Sequence, residues 1–197
     1  MSVSTHLHNN GFTEFEGHSG EIKEQQARLK ELCSKPSIQT ILEIGFNGGH
    51  SAELFLSNSS ATVLSFDLGV NPYVQSAKEY IDAKYTSRHT LILGNSMETV
   101  PQYLADNPNT TFDFIFIDGG HDYEIALADL TNCRKLSKPT TVVVMDDVII
   151  SKNYSLQCNW TLGPSKTWAE SIMNGMIRHT SAELYYVGRG MAWGTFS

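Results

Sequence analysis

Short apolar runs alternate along the chain with segments whose apolar residues recur every three or four positions. The apolar runs cover residues 40–44, 61–66, 90–93, 112–117 and 140–145. Runs of this length, covered on both faces, are typical of strands in a parallel sheet. The segments with helical periodicity cover residues 21–32, 51–56, 72–85, 97–105, 123–136 and 164–177.

The end of the chain departs from this alternation. Two further strand-like runs, 182–187 and 191–196, flank Gly188-Arg189-Gly190, which predicts a hairpin. The whole pattern predicts a doubly wound, Rossmann-like α/β fold: a mostly parallel seven-stranded sheet with helices on both faces and a C-terminal antiparallel hairpin. Residues 1–17 are polar and are predicted to form an irregular arm, with residues 18–197 as the domain.

Composition narrows the class of protein. The chain is 41% hydrophobic and 18% charged, as expected of a globular domain, and its net charge is −7. That charge argues against broad contact with a nucleic-acid backbone. Three cysteines without a C-x-x-C pair make a disulfide framework or a thiolate zinc site an unlikely feature. With no signal peptide or membrane-length apolar run, a cytoplasmic protein is the expectation, and a homodimer is one open option for its assembly.

Residues 40–51 combine a buried strand, a glycine-rich turn and the start of a helix. Glycines let the backbone turn tightly and approach a ligand, and the N–H groups that open a helix attract anions. The dinucleotide fingerprint G-x-G-x-x-G fails, because Asn47 stands where its second glycine is required after Gly45. The pattern therefore predicts a nucleotide-type binding loop of another kind. A tight turn without any ligand is the alternative.

Polar residues stand at the carboxyl ends of the five predicted parallel strands. In such sheets ligands bind beyond these ends. The polar residues are Glu43 with Gly45, Asp67, Ser96, Asp118, and Asp146 with Asp147. An acid after the second strand, here Asp67, suits the two hydroxyls of a ribose, although an aspartate in a turn is the simpler interpretation. Five polar ends meeting at one edge favour a binding site.

At this point the chain from about residue 18 to 196 resembles the class I S-adenosylmethionine-dependent methyltransferases. It is most similar to the catechol O-methyltransferase-like and the macrocin- or novobiocin-type O-methyltransferases. The resemblance is carried by E-x-G-x-x-x-G from Glu43 to Gly49, by Asp67, and by the acids after the fourth and fifth strands. It implies S-adenosylmethionine as cofactor. The residues implied to bind it are Glu43, Gly45, Asn47, Gly49, Ser51, Asp67, Asn95, Ser96, Asp118 and Tyr123.

The same resemblance implies a magnesium ion held by Asp118, Asp146 and Asp147. Carboxylates and water are the ligands that Mg²⁺ prefers. His121 lies three residues after Asp118, where catechol-type enzymes carry a lysine as general base. The expected catalytic residues are therefore His121 and Asp118, since an imidazole can accept a hydroxyl proton near neutral pH. Metal-independent relatives also carry acids here, and a histidine bonded to backbone at the helix start is the plainer alternative.

The implied reaction is O-methylation of a small hydroxylated acceptor. Trp160, Trp168 and Lys166 are candidates for the acceptor pocket. Arg189 could also meet an anionic group, although a solvated turn arginine is the expectation. The alternatives are methylation of a nucleic-acid or protein nitrogen and a protein that binds the cofactor without catalysis. The failed dinucleotide fingerprint disfavours a nicotinamide dehydrogenase. No Asn-Pro-Pro-Tyr-type tetrapeptide follows the fourth strand, which weighs against a nitrogen acceptor.

Overall fold

The computed structural model describes all 197 residues and contains seven strands and seven α-helices. The strands are β1 (Thr40–Ile44), β2 (Thr62–Asp67), β3 (His89–Leu93), β4 (Phe112–Ile117), β5 (Ser137–Asp146), β6 (Ile177–Tyr186) and β7 (Arg189–Phe196). The helices are α1 (Val3–Asn9), α2 (Lys23–Cys33), α3 (His50–Asn58), α4 (Val74–Lys84), α5 (Ser96–Asp106), α6 (Tyr123–Lys135) and α7 (Asn159–Met173). Two 3₁₀ turns cover Ser19–Glu21 and Tyr154–Leu156.

The strands form one sheet in the order β3-β2-β1-β4-β5-β7-β6. The first five are mutually parallel, and β7 pairs antiparallel with both β5 and β6. The predicted doubly wound sheet with a C-terminal hairpin is confirmed. The order reverses between β1 and β4, the point at which such sheets bind ligands.

Side chains alternate between two hydrophobic cores, one on each face of the sheet. In β4, Phe114 and Phe116 pack into one core, while Ile115 and Ile117 pack into the other. This two-residue period is the geometry of a strand covered on both faces. All six residues of β4 are buried, which agrees with the continuous apolar run in the sequence.

Residues 1–17 are not irregular throughout, which corrects the sequence prediction. Helix α1 begins after Ser2, whose hydroxyl accepts a hydrogen bond from the Thr5 N–H at 3.2 Å. Val3 and Leu7, one turn apart, are fully buried in the core. The helix was not predictable because only two apolar residues mark it, and packing rather than propensity stabilises so short a helix. The proposed boundary at residue 18 stays a prediction.

The segment before Pro164 is also more regular than predicted. Helix α7 begins at Asn159, before the predicted start at residue 164. The Thr161 hydroxyl caps this start by accepting a hydrogen bond from the Cys158 N–H at 2.9 Å. Gly163 lies against the backbone of His121, where a side chain would collide. Its glycine therefore serves close packing inside a helix, not a loop.

The longest helix, α7, has 15 residues. No helix combines the length and the apolar composition that crossing a bilayer requires.

Candidate active site

A cavity of about 680 Å³ opens at the carboxyl ends of the parallel strands. Most of the residues predicted from the strand ends line it. These are Gly45, Asn47, Asp67, Asn95, Ser96, Asp118, His121, Asp146 and Asp147. We call Gly45, Asn47, Asp67, Asn95 and Ser96 the loop half, and Asp118, His121, Asp146, Asp147 and Arg189 the acidic half. Glu43, Gly49, Ser51 and Tyr123 lie outside this lining.

The turn after β1 needs glycine at two positions. Gly45 has φ +94°, and a side chain there would collide with the carbonyl oxygen of Asp118. Gly49 has φ +73° and is the residue on which α3 begins. Both conformations lie in the left-handed region that favours glycine. Because β1 and β4 approach so closely, the loop backbone and Asp118 share one wall of the cavity.

Asp67, at the end of β2, is fixed by two backbone groups. Its carboxylate accepts hydrogen bonds from the N–H of Asn47 at 2.8 Å and the N–H of Gly69 at 2.7 Å. An ionised carboxylate has about four acceptor sites, so each oxygen retains capacity for another donor. Asp67 therefore joins the glycine loop to β2 and still offers acceptors to a ligand in the cavity.

The far end of the loop half is formed by the start of α5. The side chain of Asn95 accepts a hydrogen bond from the Met97 N–H at 3.0 Å and so caps the helix, and Ser96 is its first residue. Leu68 and Val70 line the same region, although their side chains are 61% and 71% exposed. Uncovered aliphatic side chains beside polar groups suit a flat heteroaromatic ring.

Glu43 lies beneath the loop rather than in the cavity wall. Its side chain is fully buried, and the Ser65 hydroxyl donates a hydrogen bond to it at 2.5 Å. Burial raises the pKa of Glu43 to about 7, against the lowering effect of hydrogen bonds from Ser51 and Ser65. The predicted contacts of Glu43 and Ser51 with a cofactor stay predictions, and the geometry gives both residues a place under the loop.

The three acids after β4 and β5 converge. Asp118 lines the cavity, and Asp146 and Asp147 are 4% and 5% exposed. Burial, followed by the charges of Asp146 and Asp147, holds the pKa of Asp118 well above its usual range. Burial and the charge of Asp147 raise the pKa of Asp146 to about 7. Burial is the larger cause in both residues, and the neighbouring like charges add to it.

Donor atoms suited to a metal ion come from Asp118, His121 and Asp147, and all lie within 4.8 Å of one another. The His121 Nε2 atom is 3.0 Å from a carboxylate oxygen of Asp147, and this hydrogen bond raises the pKa of His121. Asp146, the third predicted ligand, is outside this group. Its carboxylate accepts a hydrogen bond from the Gln25 side chain at 2.6 Å. Its role as a ligand stays a prediction.

Arg189 is the functional candidate that the sequence interpretation missed. Its side chain is only 12% exposed and lines the cavity, so the prediction of a solvated turn residue is wrong. Burial lowers its pKa, but the charges of Asp146, Asp147 and Asp118 outweigh that effect and raise it. The only signal in the sequence was its position at the start of the last strand, which runs antiparallel and begins where the others end.

The arm closes the cavity from outside the sheet. Glu16 and Gly17 line it, and the Glu16 carboxylate accepts a hydrogen bond from the Asn71 side chain at 3.0 Å. The Tyr73 hydroxyl accepts a bond from the Glu16 N–H at 3.3 Å. A segment predicted to stand apart from the domain is therefore part of the site.

The aromatic and basic candidates separate into three environments. Trp160 lines the cavity, and its indole N–H donates a hydrogen bond to the Gly188 carbonyl at 2.8 Å. Trp168 is fully buried in the core. Tyr123 donates its hydroxyl to Glu170 at 2.5 Å, with the Lys166 ammonium 3.8 Å from its ring centre. Of these residues, only Trp160 faces the cavity.

A Rossmann-like sheet with a glycine loop after β1 and an acid at the end of β2 is typical of proteins that bind a nucleotide cofactor. The family model described as a methyltransferase domain matches residues 42–148, from the core of β1 to just beyond the acidic pair. The chain belongs to this methyltransferase-domain family. No curated protein sequence matches the chain.

Solved structures share the whole fold. An O-methyltransferase from Bacillus cereus in complex with S-adenosylhomocysteine has a TM-score of 0.74 at 20% identity, over 99% of this chain and 89% of that one. TomG from Streptomyces achromogenes, an O-methyltransferase of tomaymycin synthesis in complex with S-adenosylmethionine, has a TM-score of 0.74 at 16% identity, with coverage of 99% and 87%. CalS11, a TDP-rhamnose 3′-O-methyltransferase of calicheamicin biosynthesis, has a TM-score of 0.64 at 22% identity, with coverage of 87% and 77%.

Proposed function

We propose that this protein transfers the methyl group of S-adenosylmethionine to a hydroxyl oxygen of a small acceptor. The observation that supports this proposal is that a single cavity contains both the loop half and the acidic half. Asp67 and the glycine loop line one side, and the His121–Asp147 pair lines the other. A cavity of about 680 Å³ is large enough for a cofactor and a small second molecule.

The loop half suits the cofactor. The Asp67 carboxylate has acceptor capacity for ribose hydroxyls. Gly45 has no side chain, so a ligand can approach the loop backbone closely. Asn95 and Ser96, with the exposed Leu68 and Val70, give a half-polar, half-apolar slot for the adenine. Asp118 stands next to the loop and can accept a hydrogen bond from the amino group of the cofactor.

His121 is the proposed general base. Its Nε2 atom faces Asp147 at 3.0 Å, so a proton on Nε2 is held by that carboxylate and Nδ1 is left as the acceptor. The acceptor oxygen bonds to the methyl carbon while the carbon–sulfur bond breaks, and the proton of the hydroxyl passes to the imidazole. Methyl transfer is an in-line displacement, so the main task of the remaining residues is positioning.

Magnesium fits the acidic half, with Asp118 and Asp147 as the proposed ligands. Two observations support the fit. One oxygen of Asp147 is buried without a hydrogen-bond partner, and the donor atoms of Asp118 and Asp147 lie within 4.8 Å of each other. A bound cation would lower the pKa of an acceptor hydroxyl and help to orient it. Hard oxygen ligands favour Mg²⁺ over softer metals.

The chemistry of the site bears on the alternatives. A nucleic-acid acceptor requires a cationic approach surface, and the acidic half of the cavity presents three carboxylates instead. A small neutral or cationic hydroxylated molecule suits this charge better. A protein that only binds the cofactor has no use for a histidine held by a buried carboxylate. A cytoplasmic location and a homodimeric assembly stay predictions.

The direct test is a pair of measurements. Calorimetry should give micromolar-range binding of S-adenosylhomocysteine and much weaker binding of NAD. Mass spectrometry of reactions with S-adenosylmethionine and a panel of phenols, sugars and matched amines should find methylated hydroxyl products. Tighter binding of NAD would overturn the cofactor assignment. Methylated amines without methylated hydroxyls would overturn only the assignment of the acceptor.

A further inference from the structure

The pairing of β7 with β5 places Arg189 beside the acidic half. Strand β7 begins at Arg189 and pairs antiparallel with β5, so Asp146 lies opposite Met191. The Val148 N–H donates a hydrogen bond to the Gly190 carbonyl at 3.1 Å. This bond clamps the start of β7 beside the acidic pair. The position of Arg189 is therefore set by the sheet and not by a free loop.

The contacts of the guanidinium are Coulombic and incomplete. Its Nε atom is 3.9 Å from Asp147 Oδ1, and its Nη1 atom is 3.8 Å from the Glu21 carboxylate. Arg189 Nε and Asp147 Oδ1 are both buried, and neither has a hydrogen-bond partner. Arginine–carboxylate pairs frequently form short, bidentate contacts, and this pair does not. The open contact leaves the free oxygen of Asp147 available to another cation.

The arm holds the guanidinium in this place. Gly17 lies against it, since a side chain there would come within 2.6 Å of Nη1. Glu16, the preceding residue, is bonded to Asn71 on the loop side of the cavity.

We propose that the guanidinium of Arg189 is the cation of the acidic half in the metal-free protein, and that it competes with a divalent metal ion for Asp147. The inference rests on the metal assignment within the proposed function. In the metal-free protein the guanidinium neutralises part of the negative charge of the three aspartates. A divalent ion at Asp147 would lie next to a second positive charge, and like charges at this range repel strongly in a buried site. Metal binding therefore has to overcome the repulsion from Arg189 or displace its guanidinium from Asp147.

The experiment measures metal binding without turnover. Mn²⁺, a paramagnetic ion with the same preference for oxygen ligands as Mg²⁺, is titrated into purified protein, and free Mn²⁺ is read by electron paramagnetic resonance. The variants are Arg189→Met and Arg189→Gln, which remove the charge, and Arg189→Lys, which retains it. Exposed Arg178→Met on β6 is the matched control. Circular dichroism and calorimetry with S-adenosylhomocysteine establish that each variant is folded.

Removal of the charge should tighten Mn²⁺ binding by roughly tenfold or more, while Arg189→Lys and Arg178→Met stay within about threefold of the parent. Either neutral variant suffices if the other fails to fold. Equal or weaker Mn²⁺ binding in a folded neutral variant would overturn the proposal. Failure to bind S-adenosylhomocysteine in the parent would instead contradict the proposed function, and the Mn²⁺ comparison would still decide the role of Arg189.

Discussion

The loop half of the cavity is built from neighbouring elements, β1 to the start of α5, whereas the acidic half is assembled from the ends of β4 and β5 and the start of β7. In the loop half, Asp67 accepts two backbone hydrogen bonds and Asn95 caps α5, and the side-chain oxygen of Asn47 is the one buried atom without a partner. In the acidic half, Asp147 and Arg189 retain buried atoms without partners, and the pKa values of Asp118 and Asp146 are raised.

This difference separates two kinds of binding surface. A set of largely paired groups with a single carboxylate, as in the loop half, is arranged for its ligand and destabilises the fold little. A set of crowded, incompletely paired charges lowers the stability of the protein, because unpaired buried polar groups and like charges both destabilise the fold. Destabilising groups of this kind are typical of residues that take part in chemistry. We therefore expect changes in the loop half to alter affinity and changes in the acidic half to alter reaction rate.

The largest expected effect concerns His121. His121→Ala should lower the methylation rate by about 10²–10⁴, because the acceptor proton loses its base. Affinity for S-adenosylhomocysteine should stay unchanged. Rates are measured by mass spectrometry with an acceptor from the hydroxyl panel, and exposed His8→Ala is the control. Full activity in the variant would return His121 to a structural role.

Glu43 gives the next largest effect, on stability. Its folded pKa of about 7 lies above its ordinary value of 4.5, so the folded state binds the proton more tightly between those pH values. The free energy of unfolding should therefore fall as pH rises from about 4.5 to 7. Glu43→Gln should remove this loss. Above pH 7 its free energy of unfolding should exceed that of the parent by roughly 2–3 kcal/mol.

The measurement for Glu43 is urea unfolding across pH 4–8, with exposed Glu79→Gln as the control. A variant whose stability falls with pH as steeply as that of the parent would contradict the buried, proton-binding carboxyl. Binding of S-adenosylhomocysteine should be retained, since Glu43 lies outside the cavity lining.

Asp67 tests the loop half. Asp67→Ala should weaken binding of S-adenosylhomocysteine by about 1.5–3 kcal/mol, through loss of charge-assisted hydrogen bonds to the ribose. Asp67→Asn should lose less, because its amide oxygen can still accept a hydrogen bond from one of the two N–H groups, that of Asn47 or that of Gly69. Calorimetry measures both variants. Unchanged affinity in the alanine variant would remove Asp67 from the proposed cofactor site.

The smallest expected effect is that of magnesium. At about ten times its dissociation constant, Mg²⁺ should raise the melting temperature by roughly 3–5 °C. Asp147→Asn should abolish this shift, whereas Asp146→Asn should retain most of it, since Asp146 is engaged by Gln25. Differential scanning fluorimetry with chelator-treated protein measures the shift. The reverse order of the two variants would restore Asp146 as the main ligand.

Local sequence signals predicted the fold and the loop half well. Strands β1 and β4 have the predicted bounds, because a continuous apolar run between turn residues has few other structures available. Gly45 and Asp67 were predictable for a similar reason: a tight turn and a strand end are local features. The acids of β4 and β5 were predictable because parallel strands end at the same edge.

The remainder depended on contacts between distant segments. Helix α1 is stabilised by packing of Val3 and Leu7, and nothing in its local sequence identifies a partner. Arg189 reads as a turn residue until the pairing of β7 with β5 is known. Likewise, the donor atoms grouped with Asp147 include His121 but not Asp146. The carboxylate of Asp146 accepts a hydrogen bond from Gln25 of α2, a contact between distant segments that no local pattern indicates.

The antiparallel strand β7 also protects the sheet from self-association. Its pairing with residues 142–146 of β5 hides the backbone groups of a strand whose end is wholly buried. Outside it, β6 forms the edge, where register shifts near His179 and Leu184 and several exposed polar residues discourage a further strand from adding. Damage to β7 would uncover an apolar template for pairing between chains. Such molecules would be prone to aggregate, so β7 contributes to solubility as well as to the site.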